Sequence, residues 1–287
     1  VKRLSFIILA SLLCLLFAPQ TTNARSCAML SVTNWDDNCN TTLENLPEWN
    51  NMITRWSLEI QHSSHGSRAF DDEYIWQVDG NLSQNHLTDI SVEAFGKDHY
   101  YIDHVDAAIV GMHGSNLHWN SNWGGYPRHR GNNECDIDPS DNEMEVGDGQ
   151  NENLILSSCH SLNRNYCENG NWSEWNQMFD GMQALNGYHG TMWIASHLRG
   201  EHTAFADDGF DIPVSTAFVE NLYVVFYHDG GYVYQCPVHV SAGATTSQAI
   251  SLRDNYDYYS WGSDPTGNGH WARLGVSGCN PEGQGAY

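Results

Sequence analysis

Hydrophobic positions along the chain fall into short, separated runs, and two of these dominate. Ala107-Ala108-Ile109-Val110-Gly111-Met112 ends at His113-Gly114-Ser115, and Asn153-Leu154-Ile155-Leu156-Ser157-Ser158 ends at Cys159-His160-Ser161. Each has the length of a fully buried strand. Arg55 to Ile60 alternates and predicts the first, half-buried strand of the core. Trp172, Trp175, Met178, Phe179, Met182 and Leu185 recur at three- and four-residue steps, the stripe of an amphipathic helix, with Asn186-Gly187 as its stop. Gly190 to Ser196 reads as a strand, and Val214 to Leu222 as a helix entered from Pro213. Val224-Val225-Phe226 and Tyr232-Val233-Tyr234 flank Asp229-Gly230-Gly231 as a hairpin, and Pro237 to Ala242 is apolar and alternating. Residues 61–80 read as loop, and Leu87 to Phe95 fits a short strand or a helix. The order strand, loop, strand, helix, strand, helix predicts an α/β layered domain with a largely parallel sheet.

The segments between these runs divide the rest. Lys2 and Arg3 precede an apolar stretch to Ala18, so residues 1–24 read as a secretory signal, too short for a membrane span. Residues 25–54 read as an irregular N-terminal arm, and residues 55–287 as the α/β domain with a Gly- and aromatic-rich tail. Residues 116–152 form a long polar insertion holding Glu134, Asp136, Asp138, Asp141, Glu143, Glu145 and Asp148. Calcium is compatible with that loop, but not in the EF-hand pattern, whose regular spacing and central Gly are missing. Asn40, Asn81 and Asn171 each begin a glycosylation sequon.

Charge removes some functions. With 12 Lys and Arg against 35 Asp and Glu, the net charge is −23. Such a surface repels phosphate backbones and anionic membranes, which argues against nucleic acid and, after signal cleavage, against a membrane as partner.

Cysteine count adds a clue. Removal of a signal would take Cys14 and leave seven cysteines, an odd number, in a compartment where pairing is expected. Cys27–Cys39 is the simplest bridge to expect near the mature N-terminus. Cys159 is the natural unpaired residue, because it alone ends a strand-like run that has a His counterpart.

If the two runs are neighbouring parallel strands, His113 and Cys159 emerge at the carboxyl edge of one sheet, where open α/β sheets place their sites. A thiol beside an imidazole forms a nucleophile and a general acid/base. The backbone N–H groups of Gly114 and Cys159 would then be the oxyanion donors. Asp103, Asp106 and Asp136 are candidates for an orienting third group, none favoured over the others.

Strand-His-Gly followed by strand-Cys, 46 residues apart, resembles the caspase, legumain, gingipain and clostripain group of cysteine peptidases. The segment around Cys159, with Trp175, Phe179 and Gly187, also looks like secreted relatives of that group. The resemblance covers roughly residues 55–235. It implies a caspase-like fold and a secreted hydrolase cleaving a peptide or protein substrate through a Cys-His dyad and a thioester acyl-enzyme, with no cofactor required. The chain departs from the pattern in two respects: no pocket for a basic or aspartate side chain can be matched, and His160 follows the Cys where a small residue is usual.

Two other classes compete. One is a metal protein using the plentiful His and acidic residues, for example zinc at His113, Cys159 and His160. The other is a non-catalytic relative binding carbohydrate or another surface through Trp119, Trp123, Tyr126, Tyr258, Tyr259 and Trp261, whose loops are rich in Gly and Asn.

Overall fold

Cys27, Ala28, Met29 and Leu30 follow one another without a polar break, and all four are buried. They belong to β1 (Arg25–Ser31), which lies inside the main sheet, between β2 (Phe70–Val78) and β3 (Ala107–Gly111). The computed structural model describes residues 25–35, 43–79, 82–116, 123–125, 127, 136–137, 139, 144–163, 178–260 and 269–281. The reading of residues 25–54 as an irregular arm is therefore corrected. A strand flanked by Arg25 and Ser26 at one end and Thr33-Asn34 at the other shows too little apolar length to be noticed.

Arg55 to Ile60, expected as a half-buried strand, are helical. They close α1 (Glu48–Ile60). Trp49, Met52, Ile53, Trp56, Ser57 and Ile60 are its buried positions, a three-four spacing visible only over the whole helix. Leu58, the middle apolar residue of the apparent alternation, is exposed.

Beyond β3 come β6 (Asn153–Ser157) and β7 (Ala184–Tyr188), then β10 (Pro237–Gly243) and β11 (His270–Gly275). The sheet order is β11-β10-β7-β6-β3-β1-β2, parallel from β2 to β7 and antiparallel across β7–β10 and β10–β11. The fold is thus α/β, a mostly parallel mixed sheet flanked by helices, consistent with a caspase-like layered arrangement. α2 (Arg199–Asp208) packs on α1 and on α3 (Val214–Leu222), and α4 (Thr246–Asn255) covers β10 and β11. Two small ribbons stand outside the sheet: β4 (Gly114–Asn116) with β5 (Trp123–Gly125), and β8 (Val224–His228) with β9 (Gly231–Gln235). The helix from Pro213 and the hairpin around Asp229-Gly230 thus form where expected. Both turn residues have positive φ, 46° and 88°, the left-handed region that Asp and Gly tolerate.

The predicted helix ending at Leu185 fails at its end, because Leu185 to Tyr188 lie in β7; residues 172–177 lie outside the described residues. Asn186-Gly187, usually a stop signal, is here interior. Asn186 donates to Asn153 Oδ1 at 2.7 Å and bonds His239 at 2.8 Å, so the polar side chain is satisfied across three strands. Gly187 is required by space: a Cβ would lie 2.6 Å from Ser161 Oγ. Residues 191–195, expected as strand, run irregularly past the end of β7. Residues 61–80, expected as loop, contain a 3-10 segment (Ser63–Arg68) and β2.

Cys236 and Cys279 form a disulfide, and Cys27 is a buried thiol, so the expected Cys27–Cys39 bridge is not made. Burial pushes the Cys27 thiol up to about 12. Cys39, Cys135, Cys167, residues 1–24 and the three sequon asparagines lie outside the described residues. Among the described residues no helix is long and apolar enough to cross a membrane.

Candidate active site at the carboxyl edge

β3 and β6 pair in parallel with Gly111 opposite Ser157, and Met112 N–H still reaches the Ser157 carbonyl at 3.4 Å. Two residues further on in each chain segment lie His113 and Cys159, both just past the carboxyl ends of these paired strands. A Cβ on Gly111 would touch Trp49 of α1, and Trp49 Nε1 donates to Ser157 Oγ at 3.3 Å, so positions 111 and 157 face α1. His113 packs on that side, against Trp35 and Trp49, whereas the chain turns before Cys159. The chain leaves β1 for β2 and then comes back to lay β3 on the other side of β1. The carboxyl ends of β1 and β3 therefore form a topological switch point, and His113 sits there. Its ring lies 4.4 Å from that of Trp35, just past β1, and 5.4 Å edge-on to Trp49.

His113 Nε2 is 2.9 Å from the Glu44 carbonyl oxygen. A carbonyl only accepts, so Nε2 carries the proton and Nδ1 is the basic atom of the neutral ring. Burial between the two indoles lowers the His113 pKa below the usual 6.5, partly offset by the Glu44 carbonyl. The imidazole is therefore neutral, and competent as a base, at neutral pH.

Cys159 is half-buried and forms no disulfide. Its sulfur accepts the Met192 N–H at 3.4 Å, and its S–H donates to the Met192 carbonyl at 3.6 Å. His113 makes its hydrogen bond to Glu44, not to the thiol. The turn after β6 is tight: Ser158 N–H bonds back to Leu156, and His160 has φ +60° with its N–H on the Gly190 carbonyl. A left-handed non-Gly residue stores local strain, and here it follows the candidate nucleophile directly.

Gly114 offers the second expected donor. Gly125 and Ile137 exchange both backbone hydrogen bonds, at 3.0 and 2.9 Å, so the Gly125 polar groups face away from β4. Its partner Gly114 then stands in a non-hydrogen-bonded pair, with its N–H turned away from β5.

The three aspartates divide. Asp106 takes the Ser26 N–H and hydroxyl at 2.6 and 2.8 Å, and Asp103 takes Gly147 N–H and Gly149 N–H at 2.6 and 3.0 Å. Both precede β3, roughly 20 Å of strand away from His113, so neither orients the imidazole. Asp136 lies beside the Gly125–Ile137 bridge, nearer the site. What fixes His113 is the Glu44 carbonyl with Trp35 and Trp49. A backbone acceptor leaves no mark in a sequence, although two tryptophans near a strand end were visible.

Of the acidic loop, Glu134, Asp138, Asp141 and Glu143 lie outside the described residues. Glu145 accepts from Ser91, and Asp148 is hydrogen-bonded to the Asp103 carboxyl. His113, Cys159 and His160 do not converge as metal ligands; among the described residues that geometry belongs to Glu59, His65 and Asp207. Of the aromatics singled out for surface binding, Tyr258 is core, its hydroxyl bonded to Trp56. Tyr259 is exposed, and Trp119, Tyr126 and Trp261 lie outside the described residues.

Residues 33–273 match the family described as Domain of unknown function (DUF6345). The chain belongs to that family. The matched region contains His113, Gly114, Cys159, Met192 and Trp193, together with every strand of the sheet except β1 and the last two residues of β11. No curated protein matches the chain.

Proposed function

We propose that this DUF6345 protein is a secreted cysteine hydrolase of the caspase-like kind, cleaving peptide bonds with Cys159 as nucleophile and His113 as general acid/base. One observation supports the reading: β3 and β6 are paired neighbours in the parallel sheet, and His113 and Cys159 each lie two residues past the paired Gly111 and Ser157, at the carboxyl edge beside the switch point. The Met192 N–H on the sulfur supports negative charge there, while the Met192 carbonyl holds the thiol proton in the resting state, and a neutral His113 with Nδ1 unprotonated can take that proton, directly or through bound substrate. Attack on a carbonyl would place the oxyanion toward the N–H groups of Gly114 and Cys159. His113 would return the proton to the leaving amine, and water would hydrolyse the thioester. The Cys236–Cys279 disulfide is in keeping with export to an oxidising compartment.

A library of fluorogenic peptides tests this. Hydrolysis is expected with the wild type, lost on Cys159→Ala and on alkylation. Hydrolysis that survives Cys159→Ala would reject the assignment.

A second reading has its own support. Tyr227 and Tyr232 on the β8–β9 hairpin are 66% and 71% exposed, and behind them Trp193 packs on Phe226 and His228. A surface-binding protein would use that face, and ligand would change Trp fluorescence without any dependence on the thiol.

A further inference from the structure

A second polar cluster lies at the opposite, amino end of the sheet. α1 and α2 run side by side in the same direction. At their starts Arg199 pairs with Glu48, its Nη2 2.6 Å from Oε2. At their ends Glu59 of α1 and Asp207 of α2 both approach His65, which comes from the 3-10 segment Ser63–Arg68. His65 Nε2 is 3.3 Å from Glu59 Oε1 and 3.8 Å from Asp207 Oδ1, and the three ligand atoms all lie within 4.8 Å of one another. The His65 ring is held by stacking on Phe210, with centroids 4.0 Å apart and planes at 22°.

The nitrogen stands out. His65 has a side chain only 5% exposed, yet its Nε2 hydrogen-bonds to neither carboxylate and to nothing else among the described residues. Glu59 stands within reach of it without forming a hydrogen bond, and Asp207 lies beyond hydrogen-bond distance. Arg68 packs on the same Phe210, but its guanidinium is engaged by the Phe210 carbonyl and by Asp211, both at 2.8 Å. Among the described residues His65 is the only ion-pair partner of Glu59 and Asp207.

We propose that Glu59, His65 and Asp207 bind a divalent transition-metal ion of the zinc type. Ligands about 2.1 Å from a tetrahedral ion stand about 3.4 Å apart, and the distances of 3.3 and 3.8 Å bracket that edge. An imidazole with two carboxylates selects a borderline ion over calcium or magnesium, which take oxygen alone. The position also suits a cation, because the carboxyl ends of two parallel helices converge there. Asp207 is 63% exposed, so the fourth position opens to water. The ion would clip the segment between β1 and β2 to the segment between β7 and β10, remote from Cys159. This proposal stands apart from the proposed hydrolase activity.

The test is calorimetric titration of the chelator-stripped full chain with Zn²⁺, repeated with Co²⁺ and followed in the visible. One equivalent of Zn²⁺ and the absorption bands of tetrahedral Co²⁺ are expected. Asp207→Asn, on an exposed side chain where folding is safe, and His65→Gln should weaken Zn²⁺ at least about 10-fold, the least that loss of even an outer-shell partner costs. His113→Gln should leave it unchanged. No Zn²⁺ uptake, uptake with full affinity in Asp207→Asn and His65→Gln, or preference for Ca²⁺ would each overturn the proposal.

Discussion

The two edges of the sheet handle polar groups in opposite ways. At the amino edge Asp106 ties β3 to β1 through Ser26, and Asp103 takes two N–H groups from the 147–149 turn. Those carboxylates are spent on holding chain segments together. At the carboxyl edge His113 makes one hydrogen bond, Cys159 has its sulfur on a backbone amide, and both stay half-exposed beside a left-handed His160. A proposed catalytic imidazole needs spare valence and access, and His113 has both, whereas Asp103 takes two N–H groups in a buried position.

The largest effect should separate the edges outright. Cys159→Ala is expected to cost at least about 10³-fold in peptide hydrolysis while the melting temperature barely moves. The matching change at the other edge, Asp106→Ala, removes two charge-assisted hydrogen bonds and should cost about 2 kcal/mol of stability in denaturant titration, with the labelling rate of Cys159 unaltered. If Asp106→Ala silenced the thiol without unfolding the chain, the division between edges would be wrong.

The third prediction uses pH. Burial, and next the charge of Asp89, push the Asp98 carboxyl up to about 8. The folded state then holds a proton that the unfolded state releases near the ordinary value, about 4. That contribution is full below about pH 4 and is lost as pH rises through about 8. The melting temperature should fall between pH 5 and pH 8, and Asp98→Asn should flatten the slope. A slope of the opposite sign would place the controlling groups elsewhere.

The smallest effect probes the strain. His160→Gly should stabilise by about 1 kcal/mol, since glycine adopts positive φ without a Cβ penalty. If the strain aims the thiol, the same variant lowers Cys159 reactivity. A loss of stability instead would mean that the His160 side chain, in reach of Asn163 at 3.4 Å, holds the turn.

Much of the fold was legible where one signal sufficed. β3 and β6 are unbroken apolar runs, α3 begins at a proline, and the β8–β9 hairpin announces itself by Asp-Gly-Gly. The misses share a cause: tertiary context overrode the local pattern. Six residues of α1 mimic a strand because alternation and a helical stripe coincide over so short a window. β7 hides behind Asn186-Gly187, whose meaning reverses once Asn153 and His239 supply partners. The same rule holds at the carboxyl edge. That His113, Gly114 and Cys159 follow the ends of β3 and β6 could be read from the sequence, whereas the Glu44 carbonyl and the His65 group could not. The former is backbone, and the latter draws its ligands from three segments with no common spacing.

The central claim is that β3 and β6 deliver a working thiol–imidazole pair. The most direct measurement is the alkylation rate of Cys159 at pH 6, by peptide mapping, in the wild type and in His113→Gln. The account predicts rapid label on Cys159, none on buried Cys27, and a rate at least about 10-fold lower without the imidazole. Equal rates in the two proteins, at the value of an ordinary thiol, would contradict it.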